Sequence, residues 1–429
     1  MSTITMECFL NLLAESRLVD QERMEKTRSR AAVQTNPEVI AARLVRRGHL
    51  TRWQARELLA GKKGPYFLGR YRLLKLLGQG GMGAVYKAHQ PGVNRHVAVK
   101  ILAGRALNDE RSVARFRREI RAAAVLDHPH IIHAFDADCS QSTYYLVMEY
   151  ISGRDMKRWI QTVGRSPIGW SCECIRQAAL GLQHAHEHGI VHRDIKPSNL
   201  LLARRSAGAP PLVKITDFGL ARAGLEIVEQ AGLTRIGQGM GTSEYVAPEQ
   251  ALDSTAVDIR ADIYSLGCTL FELLTGALPF PGNNTFERLL ARFQHDVPLA
   301  SSRRGDVPAA LDGVISRMMA RDREQRFRTP AEVAEALAPF CHLDDLAPAS
   351  AAAAGASVSN PPVPETTSDS DPAVNRFLES LSGELSSRSL PSLSMIRPQH
   401  RARGRMPLII AAIATVVLLA IASWTLIGH

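Results

Sequence analysis

Asp194, Lys196 and Asn199 fall within six residues of one another in His192-Arg193-Asp194-Ile195-Lys196-Pro197-Ser198-Asn199, and Asp217-Phe218-Gly219 follows downstream. An acid, a lysine, an amide and a second acid at this spacing suit phosphoryl transfer. That chemistry needs a proton acceptor beside the attacking hydroxyl and a cation near the moving phosphoryl group. It also needs oxygen ligands for a metal that bridges the phosphates.

A second constellation lies upstream. Gly78-Gln79-Gly80-Gly81-Met82-Gly83-Ala84-Val85 fits G-x-G-x-x-G-x-V. Glycines at a turn let backbone amides approach phosphates with no side chain between. A dinucleotide-binding unit carries a similar pattern but opens a helix after its last glycine. Here Leu73, Leu74, Leu76 and Leu77 precede the glycines, Ala84-Val85-Tyr86 follows them, and Val97-Ala98-Val99-Lys100-Ile101 comes next. These are strand signals, so the pattern predicts a hairpin.

Together the motifs resemble the eukaryotic-type (Hanks-type) protein kinases, with H-R-D-x-K-P-x-N, then D-F-G, in the order that family uses. The resemblance implies an α+β, two-lobed fold over residues 71–340: a five-stranded antiparallel sheet with one helix, then a mainly helical large lobe. Trp170 to His186 reads as one long helix with Ile175, Ala178, Ala179, Leu182 and Ala185 on its apolar face. The family assigns roles as well. Asp194 and Lys196 are the catalytic pair, and Asn199 and Asp217 hold magnesium, with manganese as a substitute. Gly78, Gly80, Gly83, Val85, Ala98 and Lys100 contact ATP. Lys100 pairs with Glu119, on a helix expected between about Asn108 and Val125. Met148 backs the adenine pocket, and Glu149 and Tyr150 begin the hinge between the lobes.

Lys196 two residues after Asp194, with Gly241-Thr242-Ser243-Glu244-Tyr245 before Val246-Ala247-Pro248-Glu249, is the serine/threonine form of the pattern. Protein Ser/Thr hydroxyls, including the chain's own, are the implied acceptors. Further matches are structural. Arg326 corresponds to the arginine that pairs with Glu249, and Asp262 to a buried aspartate bonded to the catalytic-loop backbone. Thr234 is the expected activation-segment phosphosite, with Arg193 pairing its phosphate. No family position is missing, which favours an active enzyme over a catalytically silent kinase-fold scaffold. The segment from Ala203 to Pro211 reads as an exposed insertion.

Leu408 to Ile427 is twenty residues without a charge, and Arg397, Arg401, Arg403 and Arg405 precede it. Twenty residues match a hydrocarbon core of about 30 Å. The arginines predict a single-pass membrane helix with the kinase on the cytoplasmic side and the lipid bilayer as partner. Residues 347–406, rich in Ala, Pro and Ser, read as a flexible juxtamembrane linker. Residues 1–64 read as a small helical region, with helices from Met6 to Leu18, from Pro37 to Arg47, and after Thr51 as N-cap. Such leaders resemble those of membrane-bound kinases of planctomycete-like bacteria and suggest a protein partner.

The formal charge of +10 does not predict nucleic acid, because the cations are scattered and lack interleaved aromatics. Six cysteines without regular spacing predict thiols. Cys172-Glu173-Cys174 lies too far along its helix from His184, His186 and His188 for a zinc site.

Overall fold

The computed structural model describes residues 4–33, 36–80, 83–102, 125–140, 143–206, 209–218, 244–252 and 257–342. The helix expected around Glu119, most of the activation segment with Thr234, the linker and the apolar run 408–427 lie outside the described residues. Among the described residues no helix is long and apolar enough to cross a membrane.

Four helices come first: α1 (Met6–Ser16), α2 (Gln21–Ala31), α3 (Pro37–Arg46) and α4 (Arg52–Leu59). Their starts follow local chemistry. Thr5, Asp20 and Asn36 each accept a backbone N–H from the first turn, and Pro37 stands where its missing N–H costs nothing. Thr51 caps α4 as expected, with Gln54 bonding back to the Thr51 amide in a capping box.

The small lobe is a six-stranded antiparallel sheet in the order β1-β2-β3-β4-β6-β5, one strand more than expected. Its strands are β1 (Phe67–Leu68), β2 (Tyr71–Gly80), β3 (Gly83–Gln90), β4 (Arg95–Leu102), β5 (Ala134–Ser140) and β6 (Thr143–Glu149). The extra strand is β1, two residues paired on the outer edge of β2. Too short to carry an alternation, it gives no periodic signal.

Side-chain alternation splits this sheet into two buried faces. Val97, Val99, Tyr145 and Val147 share one core with Phe9, Leu13, Leu44, Trp53 and Leu58 of the N-terminal helices. Ala98, Leu146 and Met148 point the other way and pack with Ile132. The helices therefore cover the sheet face opposite the cleft. Trp53 meets Tyr66 and Tyr86 edge-on at 6.1 and 5.6 Å. Three hydrogen bonds fasten the helices to β2: Gln54 Nε2 to the Leu73 carbonyl (2.7 Å), Thr51 Oγ1 to the Leu74 carbonyl (2.6 Å) and Arg72 Nη2 to the His49 carbonyl (2.7 Å).

The large lobe is mainly helical. It comprises α5 (Met156–Val163), α6 (Ile168–Glu187), α7 (Pro248–Leu252), α8 (Arg260–Thr275), α9 (Thr285–Gln294), α10 (Ala309–Met318) and α11 (Pro330–Leu337). A small sheet, β7 (Gly153–Asp155), β8 (Leu200–Ala203) and β9 (Val213–Ile215), lies against α6. Helix α6 spans the expected long helix, and Ile175, Ala178, Ala179, Leu182 and Ala185 are fully buried along it. In the segment from Ala203 to Pro211, Arg204, Arg205 and Ser206 are exposed, as an insertion turn should be.

Candidate functional site

The glycine pattern folds as a hairpin. Gly78 lies opposite Val85 and Gly80 opposite Gly83, so the pairing of β2 and β3 runs to the last described residue on each side of positions 81–82. Gly83 has φ 131°, a backbone region that side chains rarely adopt. A Cβ added at Gly78 or Gly80 would meet nothing within 4 Å. Among the described residues, packing therefore does not require a glycine at either position.

Lys100 lies on β4 opposite Val85. Only 5% exposed, its ammonium donates to Asp217 Oδ1 at 2.8 Å. That bond joins the small-lobe sheet to the segment after β9. Glu119, the expected partner of Lys100, lies outside the described residues.

The catalytic-loop candidates sit between α6 and β8, and a buried carboxylate fixes their backbone. Asp262 on α8 is fully buried and accepts the amides of His192 (2.7 Å) and Arg193 (2.8 Å). Burial pushes the Asp262 carboxyl up, against the pull of His192, Arg193 and their amides. The side chain of His192 is likewise buried. Its Nε2 lies 2.9 Å from the Thr216 carbonyl, and its ring meets Phe218 edge-on.

Within this frame Lys196 Nζ lies 2.8 Å from Asp194 Oδ2 and 2.9 Å from Oδ1. Asn199 Nδ2 donates to the Asp194 carbonyl (2.8 Å) and to its Oδ2 (3.2 Å). Asp194, Lys196 and Asn199 thus converge. Arg193 and Asp217 have φ 67° and 68°, left-handed values at non-glycine residues. Such conformations persist only where the surroundings impose them, and they cluster at functional sites.

The donor set suits a hard divalent cation. The Asn199 amide spends its N–H groups on Asp194, and among the described residues its Oδ1 accepts no hydrogen bond. Asp217 uses Oδ1 for Lys100, and among the described residues nothing is bonded to its Oδ2. The Thr216 amide donates to the Asn199 carbonyl at 2.9 Å, which ties the two segments side by side. Two oxygen ligands from the protein, with phosphate and water completing the shell, is how magnesium is usually held.

The cleft wall is apolar. Ala98 and Met148 pair across β4 and β6, and Leu77, Val85, Tyr150, Ile151 and Leu201 pack around them. Ile151 and Leu201 were not singled out from the sequence, and Leu77 was read only as a strand residue, since an isolated aliphatic residue carries no motif. Glu149 turns its carboxylate to Lys214 Nζ at 2.8 Å and donates its amide to the His133 carbonyl at 2.9 Å. Lys87 Nζ sits 4.5 Å from the Tyr150 ring centre.

A further layer supports the loop. Arg326, 1% exposed, pairs with Glu249 through two bonds of 2.7 and 2.8 Å. The neighbouring Gln250 donates Nε2 to the Arg193 carbonyl at 3.0 Å, a contact that sequence pattern does not announce.

Residues 71–337 match the family described as the protein kinase domain. The serine/threonine-protein kinase Pkn1 of Myxococcus xanthus is 40% identical over 271 residues, covering 63% of this chain and 38% of that protein. PrkC of Bacillus subtilis, another serine/threonine-protein kinase, is 37% identical over 276 residues, covering 64% and 41% respectively. The matched region thus spans less than half the length of these relatives. Among solved structures, the PknI kinase domain of Mycobacterium tuberculosis is similar with a TM-score of 0.50 at 29% identity, covering 64% of this chain and 97% of that one. Rad53 in complex with AMP-PNP is similar with a TM-score of 0.52 at 27% identity, covering 64% and 66%.

Proposed function

The chain belongs to the protein kinase domain family, and from that membership we propose that it transfers the γ-phosphoryl group of ATP to serine and threonine hydroxyls of proteins, itself included. The convergence of Lys196 and Asn199 on the Asp194 carboxylate, within 2.8–3.2 Å, carries the reading.

Asp194 orients the acceptor hydroxyl and takes up its proton as the oxygen attacks. Lys196 offsets negative charge on the transferring group, and the hydrogen bond from Asn199 keeps the Asp194 carboxylate aimed. Lys100 holds the phosphates that stay behind, under the amides of the Gly78–Gly83 hairpin. Val85, Ala98 and Met148 enclose the adenine, and the backbone of Glu149 and Tyr150 reads its edge. Asn199 and Asp217 hold magnesium, or manganese in its place. The metal, when bound, neutralises charge shared by the β- and γ-phosphates. Catalysis of this kind is chiefly positioning and electrostatic stabilisation, which fits a loop pinned at its backbone by Asp262.

The remaining segments take roles suited to their composition. Residues 408–427 span the membrane once, 347–406 tether the kinase on the cytoplasmic side, and residues 1–64 are the place for a protein partner. Phosphate on Thr234 would pair with Arg193 and order the activation segment.

Phosphoamino-acid analysis tests the reading. Incubated with magnesium-ATP and a generic protein acceptor, the purified chain should yield phosphoserine and phosphothreonine. Phosphotyrosine as the main product would overturn the acceptor class, and no product after removal of copurifying phosphatase would favour a silent scaffold.

A further inference from the structure

The N-terminal helices enclose a second site, remote from the cleft. Arg23, Lys26 and Arg30 of α2 line an open pocket with Arg43 of α3, the adjacent Arg47 and His49. Its volume is about 410 Å³, solvent at the mouth included. Ile40, Leu44 and Thr27 make the floor, and no carboxylate is among the lining residues. Two carboxylates stand nearby: Asp20, 2.8 Å from Arg23, and Glu22, paired with Lys26. Both pairs are more than half exposed, where such contacts contribute little.

Cationic side chains gathered around one hollow raise its positive potential, which ordinary salt screens only beyond about 8–10 Å. His49 senses the crowding. Burial first, then the charges of Arg23 and Arg47, hold its imidazole below the usual range. An ordinary solvated helix face would spread its charges or alternate them. Here two helices present the same sign to each other across a concave floor. Guanidinium forks match tetrahedral oxyanions through paired hydrogen bonds.

We propose that this pocket binds a phosphate-bearing anion, either a soluble polyphosphorylated molecule or the headgroup of an anionic lipid. The site is joined to the small lobe. The carbonyl of His49 accepts Arg72 Nη2 at 2.7 Å, and Arg72 lies on β2, the strand that carries Gly78 and Gly80. A ligand held at His49 therefore sits one hydrogen bond from that strand.

Calorimetric titration of the full chain in detergent, in metal-free buffer at low salt, tests this with inorganic tripolyphosphate as probe. Arg30→Glu and Arg47→Glu should each weaken binding at least fivefold. Arg28→Glu, on the same helix but outside the pocket, makes the same change in net charge and should weaken it less than twofold. The nucleotide cleft contributes equally in all four proteins, so their differences report the pocket. Arg30→Gln, a milder change, should fall between wild type and Arg30→Glu and guards against misfolding. Dihexanoyl phosphatidylglycerol below its micellar concentration forms the second arm. Pocket-dependent binding of that lipid identifies a headgroup site, and pocket-dependent binding of tripolyphosphate alone identifies a soluble ligand. Equal weakening by Arg28→Glu, or no weakening by either pocket variant with both probes, would overturn the proposal.

Discussion

Lys100 Nζ and Asp217 Oδ1 stand 2.8 Å apart and join two segments separated by more than a hundred residues. The lysine is 6% exposed at its side chain and the aspartate 31%. The bond thus has a protected cation at one end and an acid that faces the cleft at the other. This ion pair joins the small-lobe sheet to the segment after β9, which the Thr216 amide ties to the Asn199 carbonyl of the catalytic loop.

Asp217→Asn keeps a hydrogen-bond acceptor for Lys100 but removes the negative charge. Phosphoryl transfer should fall at least ~100-fold, the scale seen when one electrostatic contributor to a transition state is removed. The melting temperature should change little. Incorporation of labelled phosphate within threefold of wild type would remove Asp217 from the metal-binding role.

Arg326 is buried and pairs with Glu249, which is 20% exposed, so Arg326→Met leaves a partly solvated carboxylate alone and should cost less than the about 3–5 kcal/mol of breaking a fully buried pair. Arg326→Met should lower the urea midpoint by a corresponding amount. The double variant Arg326→Met/Glu249→Gln should recover part of the loss. A double variant no more stable than Arg326→Met would indicate that Arg326 acts mainly through the carbonyls of Ala320 and Arg260, which it also bonds.

The N-terminal helices and the kinase sheet share one core, so Leu58→Ala in α4 should destabilise the small lobe and not the helices alone. Leu58 is fully buried, and truncations of this kind cost about 2–5 kcal/mol. Gln54→Ala should add about 1–3 kcal/mol by stranding the Leu73 carbonyl. Hydrogen exchange of β2 and β3 amides reads the effect. Unchanged protection there, with loss confined to residues 5–60, would show that the helices fold independently.

Much of the site was legible from the sequence because phosphoryl-transfer chemistry demands particular residue types at fixed spacing. Asp194, Lys196 and Asn199 converge, Asp217 meets Lys100, and Asp262 and Arg326 take the partners expected of them. Helix α2 was not legible. Its sequence, QERMEKTRSRA, buries only Met24 and Thr27, too narrow a stripe to register as amphipathic periodicity. The second buried face of the sheet did leave a trace. Val97-Ala98-Val99 and Tyr145-Leu146-Val147-Met148 are apolar without alternation, the signature of strands covered on both sides. Nothing in that pattern names what covers them. The packing of Val97 and Val147 against the leader helices is a tertiary fact.

Acid should weaken the protein through His128. Burial first, then His130, His184 and Lys214, lower its pKa from about 6.5 to about 4, with Glu187 opposing. The unfolded chain therefore binds a proton in this window while the folded chain does not. Stability should be fully present above about pH 6.5 and fall as pH drops toward 4. His128→Asn should flatten that slope relative to wild type in thermal melts. Parallel profiles for the two proteins between pH 6.5 and 4 would exclude His128 as a source of the acid sensitivity.

The central claim is that Asp194 serves phosphoryl transfer to protein hydroxyls, and one comparison tests it most directly. Purified full-length chain and its Asp194→Asn variant, each freed of contaminating kinases, are incubated with magnesium-ATP and a generic protein acceptor. Phosphoserine and phosphothreonine are then quantified by mass spectrometry. The account predicts robust product from the wild type and a loss of at least ~100-fold in the variant, with both proteins melting at similar temperatures and binding ATP alike. Product formation by Asp194→Asn at the wild-type rate would contradict it.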